Sequence, residues 1–177
     1  TLEVPAPGNV RLGVQYGAAG TEFTGTLFVP GSGSATTIVE LADAVANSIT
    51  ALVQGAGGEV TRQYVPRLKL EQMGDQLFVT VVPAAIQNSK RQDRGSYTCE
   101  PAIDIAVQKR VASSEEADEL VELVDQVSHL LWQVPSIGGA TLLDVQVAPV
   151  FAPEHLDEKG VFTSVVRVTY RQGRSVA

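Results

Sequence analysis

Two stretches of this chain set apolar side chains three and four residues apart behind a polar cap, and that pattern constrains the fold more than any other feature of the sequence. In the first, Ile38, Leu41, Ala42, Val45, Ile49, Leu52 and Val53 share one helical face. Thr37 and Glu40 have the spacing of a capping box, in which each side chain satisfies an open backbone N–H of the other, and Gly55 supplies the stop. In the second, Ser113 and Glu116 repeat the spacing, the first turn is acidic as the helix dipole favours, and Ala117, Leu120, Val121, Val124, Val127 and Leu131 make the stripe. Pro135 and Gly138-Gly139 end it. A helix with one apolar stripe must bury it against another layer, and the rest of the chain offers strands for that purpose.

The strands read from alternation. Val60, Tyr64, Leu68 and Leu70 describe one that carries Pro66 and therefore an edge or a bulge. Leu77 to Val82 is apolar on both sides, as for a strand covered on both faces, with Gly74-Asp75 as the turn before it. Gln87 to Pro101 reads as a long polar loop, a kind that is commonly functional. Ile103, Ile105, Val107 and Val111 mark the next strand, and Leu143 to Phe151 and Phe162 to Arg171 the last two, joined by a loop from Ala152 to Gly160 and followed by a frayed basic tail. Before all of these, Pro5, Pro7, Gly8, Gly13, Gly17, Gly20, Gly25 and Pro30 break every apolar run of the first thirty residues, leaving a small hairpin or extended arm.

The expected architecture is an α+β fold, a mainly antiparallel sheet covered by two amphipathic helices, with an extended N-terminal hairpin or arm. Residues 1–34 form the arm and 35–177 the core domain, with Gly31-Ser32-Gly33-Ser34 as the joint. Candidate arm contacts are Val10, Leu12, Val14, Tyr16, Phe23 and Leu27. No apolar stretch approaches the roughly 20 residues of a membrane span, so no membrane association is expected. A net charge of −7 disfavours attraction of the whole molecule to nucleic acid or anionic lipid. The single cysteine, Cys99, forbids an internal disulfide and removes zinc sites built on paired cysteines.

Catalytic signatures are missing from the sequence. Cys99 has no histidine near it in the chain, and His129 sits on the second helix beside Leu130 and Leu131, where a partly buried or interfacial ring is expected. Glu154, His155, Asp157 and Glu158 have metal-ligand chemistry, yet their spacing fits neither a helical zinc motif nor a calcium loop, so a solvated acidic loop is expected. Asp104 and Asp144 would meet only if their strands were neighbours; two separate aspartates are expected. Gly13, Gly17 and Gly20 lack a strand-then-helix context, and no phosphate-binding loop motif occurs. The reading is therefore of a chain that is not an enzyme, with no catalytic residues, no metal and no cofactor. Lys90, Arg91 and Arg94, interrupted by Asp93, suit a polar contact between subunits better than a phosphate grip.

From about Glu59 to Arg171 the wording resembles the tail terminator or neck (head-tail joining) proteins of tailed bacteriophages: RQYVPRLKLEQM, LFVTVVPAA, a basic SKRQDRGSY, IDIAVQKRV, the acidic ELVELVDQVSHLL, APVF and VFTSVVRVTYR. The stretch VPAPGNVRLGVQYGAAGTEFTGTLFVP resembles a Gly/Pro-punctuated module attached to other phage structural proteins, and it departs from a minimal terminator. The resemblance implies a structural virion protein at the head-tail junction, assembled in the host bacterial cytoplasm as a homo-oligomeric ring of six copies. Such a ring ends the tail tube and meets the head-tail connector or adaptor, with genomic DNA passing through unbound. Lys90, Arg91, Asp93, Arg94, Lys109 and Arg110 are the candidate ring-interface residues. The competing readings are another virion ring, in head completion or the baseplate, and a small cellular domain holding a metal through His155, Asp157 and Glu158.

Overall fold

The computed structural model describes residues 15–16, 23–24, 36–64, 75–91 and 96–175 of the chain. It divides into two units, Thr1–Ser34 and Ala35–Ala177. In the first, β1 (Gln15–Tyr16) and β2 (Phe23–Thr24) pair antiparallel with Tyr16 opposite Phe23. Val10, Leu12, Val14 and Leu27 lie outside the described residues.

In the second unit the order is α1 (Ile38–Gly55), β3 (Gly58–Arg62), β4 (Leu77–Arg91), β5 (Ser96–Arg110), α2 (Ser114–Gln133), β6 (Ser136–Ile137), β7 (Ala140–Val147), α3 (Pro153–Lys159) and β8 (Val161–Ser175). The strands form one six-stranded sheet in the order β3-β4-β5-β8-β7-β6. Its pairs are antiparallel except β3 with β4, which run parallel. The chain is thus an α+β fold dominated by its sheet. α1 and α2 lie on the same face, where Leu41, Val45, Ile49 and Val53 of α1 and Leu120, Val124, Val127 and Leu131 of α2 share a core with Val79, Val81, Ile105 and Val166.

Both helix starts follow from their caps. The Thr37 hydroxyl accepts from the Glu40 backbone N–H at 3.2 Å, and the Glu40 carboxylate accepts from the Thr37 N–H at 2.7 Å. At α2 the Ser113 hydroxyl accepts from the Glu116 N–H at 3.3 Å, while the Glu116 carboxylate takes the N–H of Ala112, one residue before the cap. The ends differ from expectation by a few residues. α1 runs through Gly55, and Gly57, at φ 76°, makes the left-handed turn into β3. Gly138 and Gly139 do not stop α2, which ends before Pro135; with φ of 58° and 77° they form the tight turn of the β6–β7 hairpin.

Three further expectations are corrected. Gln87 to Pro101 is not a loop: β4 continues to Arg91 and β5 begins at Ser96, with Asn88 opposite Cys99 and Arg91 opposite Tyr97. Polar residues form strand here because the pairing continues across register shifts between Pro83 and Ala85 and between Asn88 and Arg91, although their intrinsic strand preference is poor. The basic tail is not frayed, since β8 extends to Ser175 and pairs with Ser96 to Cys99. The stretch 152–160 holds α3, which has Pro153 in its first turn and Gly160 in the left-handed conformation at its end. The strand expected to reach Leu70 is observed as Gly58–Arg62, and Leu68 and Leu70 lie outside the described residues. Leu77 to Val82 is covered on both sides as expected, with Thr80 and Val82 buried as well as Val79 and Val81.

Gly58 marks where β3 meets the core most closely. A Cβ there would sit 2.7 Å from Leu77 Cγ and 2.9 Å from Val53 Cγ1. Gly58→Ala is therefore expected to destabilise the fold by about 1–3 kcal/mol in a denaturant titration, as overpacking does. The capping box has its own signature. Hydrogen bonds from the Thr37 backbone and side chain hold the Glu40 carboxyl below its ordinary value of 4.5, so this contact stabilises above that value and is lost as pH falls through the lowered one. An NMR titration should give Glu40 a low midpoint that Thr37→Ala moves upward.

Candidate interaction surfaces

One face of the sheet carries the helices and the other carries charge. Because side chains alternate, Asp104 of β5 and Arg167 of β8 stand opposite each other on the second face, where the guanidinium donates to both carboxylate oxygens at 2.7 and 2.8 Å. That hydrogen-bonded carboxylate holds the Arg167 guanidinium above its ordinary value. Two rungs along, Arg171 donates to Glu100 at 3.0 Å. Val165 lies on the same face and is 40% exposed. Asp104 and Asp144 do not form a pair, because β8 lies between their strands and Asp144 instead accepts from Gln146 at 2.7 Å. A bulge between Leu142 and Asp144 sets this up: Leu142 pairs with Tyr170, but beyond the bulge Val145 and Val147 turn toward the core.

The first helix and the residue before its cap are tied to neighbouring elements. Arg62 of β3 makes an ion pair with Asp43 of α1 and sits 5.2 Å from the ring centre of Tyr64. The Thr36 hydroxyl donates to the Gly138 carbonyl, and Arg174 Nη2 donates to the Thr36 carbonyl at 3.3 Å. The start of α1, the β6–β7 turn and the end of β8 therefore meet at one end of the sheet.

The residues singled out for chemistry are dispersed. Cys99 is fully buried, with Sγ 4.0 Å from Gln172 Oε1. His129 is exposed in the single chain, so of the two expected placements the partly buried one does not hold, and its Nε2 lies 2.9 Å from Gln133 Nε2. His155 Nδ1 engages Thr163 Oγ1 at 3.2 Å. Among the described residues no three His, Cys, Asp or Glu side chains come together as a metal site. Buried Tyr170 has its phenol pushed up by desolvation, and its hydroxyl lacks a hydrogen-bond partner among the described residues.

The candidate interface residues divide between the two ends of β5. Lys90 and Arg91 end β4 beside Tyr97, whereas Lys109 and Arg110 end β5 opposite Phe162 and Val161, about 40 Å away at the rise of a strand. Asp93 and Arg94 lie outside the described residues.

A surface that the sequence reading did not single out runs beside α2. A cleft of about 530 Å³ is floored by Val121, Val124, Val147 and Val150 and rimmed by Glu122 and Asp125. A second of about 400 Å³ shares Val121 and is lined by Ala117, Asp118, Phe151, Leu156 and Phe162. Phe151 and Phe162 pack at 5.9 Å between ring centres. Val150 is 43% exposed. The sequence signal was the acidic helix itself, since Ser114–Gln133 holds Glu115, Glu116, Asp118, Glu119, Glu122 and Asp125 and no Lys or Arg. The apolar floor was hidden because half of it comes from β7 and the turn after it.

Among the described residues no helix is long and apolar enough to cross a membrane. No protein-family model matches the chain, and no curated protein matches it in sequence.

The Asp104–Arg167 pair is half exposed, which limits its contribution to folding. Arg167→Ala is expected to lower stability by no more than about 1 kcal/mol in chemical denaturation.

Proposed function

We propose that this chain is a structural, non-enzymatic subunit of a tailed-phage virion, one copy in a ring of six at the head-tail junction that ends the tail tube and joins it to the connector. The sequence resemblance motivates the family. One geometric observation supports an assembling subunit: the strands outrun the helices. β4, β5 and β8 are 15 residues each, about 50 Å at the rise of a strand, whereas α1 and α2 at 18 and 20 residues span about 30 Å. On the outer half of β4, Ala84, Ala85, Ile86 and Gln87 are exposed.

This exposed stretch gives a neighbouring subunit backbone and side chains to pack on. The charged rungs of the open face and the exposed Ile86, Trp132, Val150 and Val165 supply mixed polar and apolar surface of the kind that interfaces use. Repeating one such contact between a surface and a different surface of the next copy closes a ring when the rotation permits. With −7 on each copy, a ring would leave passing DNA unattracted. In this reading the N-terminal arm contacts the adjacent tube or connector protein.

The reading is tested by removing the gene from the phage genome that encodes it. The expected outcome, by negative-stain electron microscopy of lysates, is filled heads and tails that accumulate unjoined. Complete, infectious particles in normal yield would refute it.

A further inference from the structure

We infer that the cleft beside α2 receives the β4–β5 hairpin of a second copy of this chain, so that self-association runs head to tail. The inference rests on reading the chain as a self-assembling ring subunit and names the two surfaces that would meet.

Charge complementarity selects the occupant. The cleft is apolar at its floor, with Val121, Val124, Val147 and Val150, and acidic at its rim, with Asp118, Glu122 and Asp125 all exposed on a helix that carries no Lys or Arg. A matching segment needs an apolar residue with cations close to it in the chain. The hairpin has this composition: Ile86 is 44% exposed on β4, and Lys90, Arg91 and Arg94 follow it with Asp93 as the lone acid up to Tyr97. The arm segment 1–34 matches less well, with Arg11 against Glu3 and Glu22.

Geometry makes the contact intermolecular. Val147, on the cleft floor, lies in the row Val147–Val166, and the hairpin end lies in the row Tyr97–Arg174. Eight residues of β8 separate those rows, about 26 Å at the rise of a strand, so the described ends of β4 and β5 lie far from the cleft. A chain therefore cannot fill its own cleft with its own hairpin. Each copy instead presents a donor hairpin at one end and an acceptor cleft toward the other, the heterologous arrangement that propagates until it closes. A contact of apolar floor and charged rim should be salt-sensitive in its rate and strength, because the rim remains within reach of screening ions.

The test uses the full chain in sedimentation velocity at low ionic strength over a range of concentrations. One variant reverses the hairpin, Lys90→Glu with Arg91→Glu and Arg94→Glu; the other reverses the rim, Glu122→Lys with Asp125→Lys. Wild type is expected to associate, less so as salt rises. Each variant alone should associate at least about 100-fold more weakly while keeping its circular dichroism and melting temperature, since like charges then face each other. An equimolar mixture of the two should recover association, because each hairpin again meets a cleft of opposite charge. Wild-type association that neither variant weakens, or a mixture that fails to recover, overturns this contact and leaves the virion reading standing. A wild-type chain that remains monomeric overturns it as well, and the gene-removal experiment then judges the virion reading separately.

Discussion

Pairing of β5 with β8 along their whole length is the interaction on which the rest of the structure depends. The ladder runs from Ser96 opposite Ser175 to Arg110 opposite Val161 and places both strands at the centre of the sheet. Its alternation decides which residues meet the helices. Ile103, Ile105, Val107, Val166 and Val168 go to one face and are fully buried, and Asp104, Arg167, Glu100 and Arg171 go to the other and pair as ions. A slip of one residue would exchange the two sets, burying four charges and exposing the core, so the register is strongly specified. The helices follow from that choice, since only one face offers an apolar surface large enough for both stripes.

Much of this was legible in the sequence, for physical reasons that differ from element to element. α1 and α2 were legible because their stripes and caps are local: Thr37 with Glu40 and Ser113 with Glu116 lie within one turn. Leu77 to Val82 was legible as a run apolar on both sides, and Ile103 to Val107 from alternation. The β4–β5 hairpin was not, because Gln87, Asn88 and Arg91 have no strand pattern of their own and are held extended by partners six to thirteen residues away. α3 carried a local signal in Pro153 and Gly160 that the polar composition of the segment masked. The bulge at Leu142 and Asp144, which re-aims Val145 and Val147, belongs to pairing geometry and leaves no local mark.

The surfaces show the same division between local and assembled features. The acidity of α2 is written in consecutive residues, and so is the basicity of the hairpin. Their relation is not, because it depends on how far the ends of β4 and β5 lie from the cleft along β8. The six residues grouped in sequence as one interface, Lys90, Arg91, Asp93, Arg94, Lys109 and Arg110, include pairs at opposite ends of β5, so they cannot act as one patch within a single subunit. An assembly in which one end of each subunit meets the flank of the next uses such a polar molecule well.

The central claim is that copies of this chain form a ring between the connector and the tail tube. Cryo-electron microscopy of the virion neck tests it most directly. The account expects a ring of density into which the six-stranded sheet, its two covering helices and the β4–β5 hairpin can be traced in every copy. A neck whose rings are fully accounted for by other chains, with this one elsewhere in the particle or absent from it, would contradict the account.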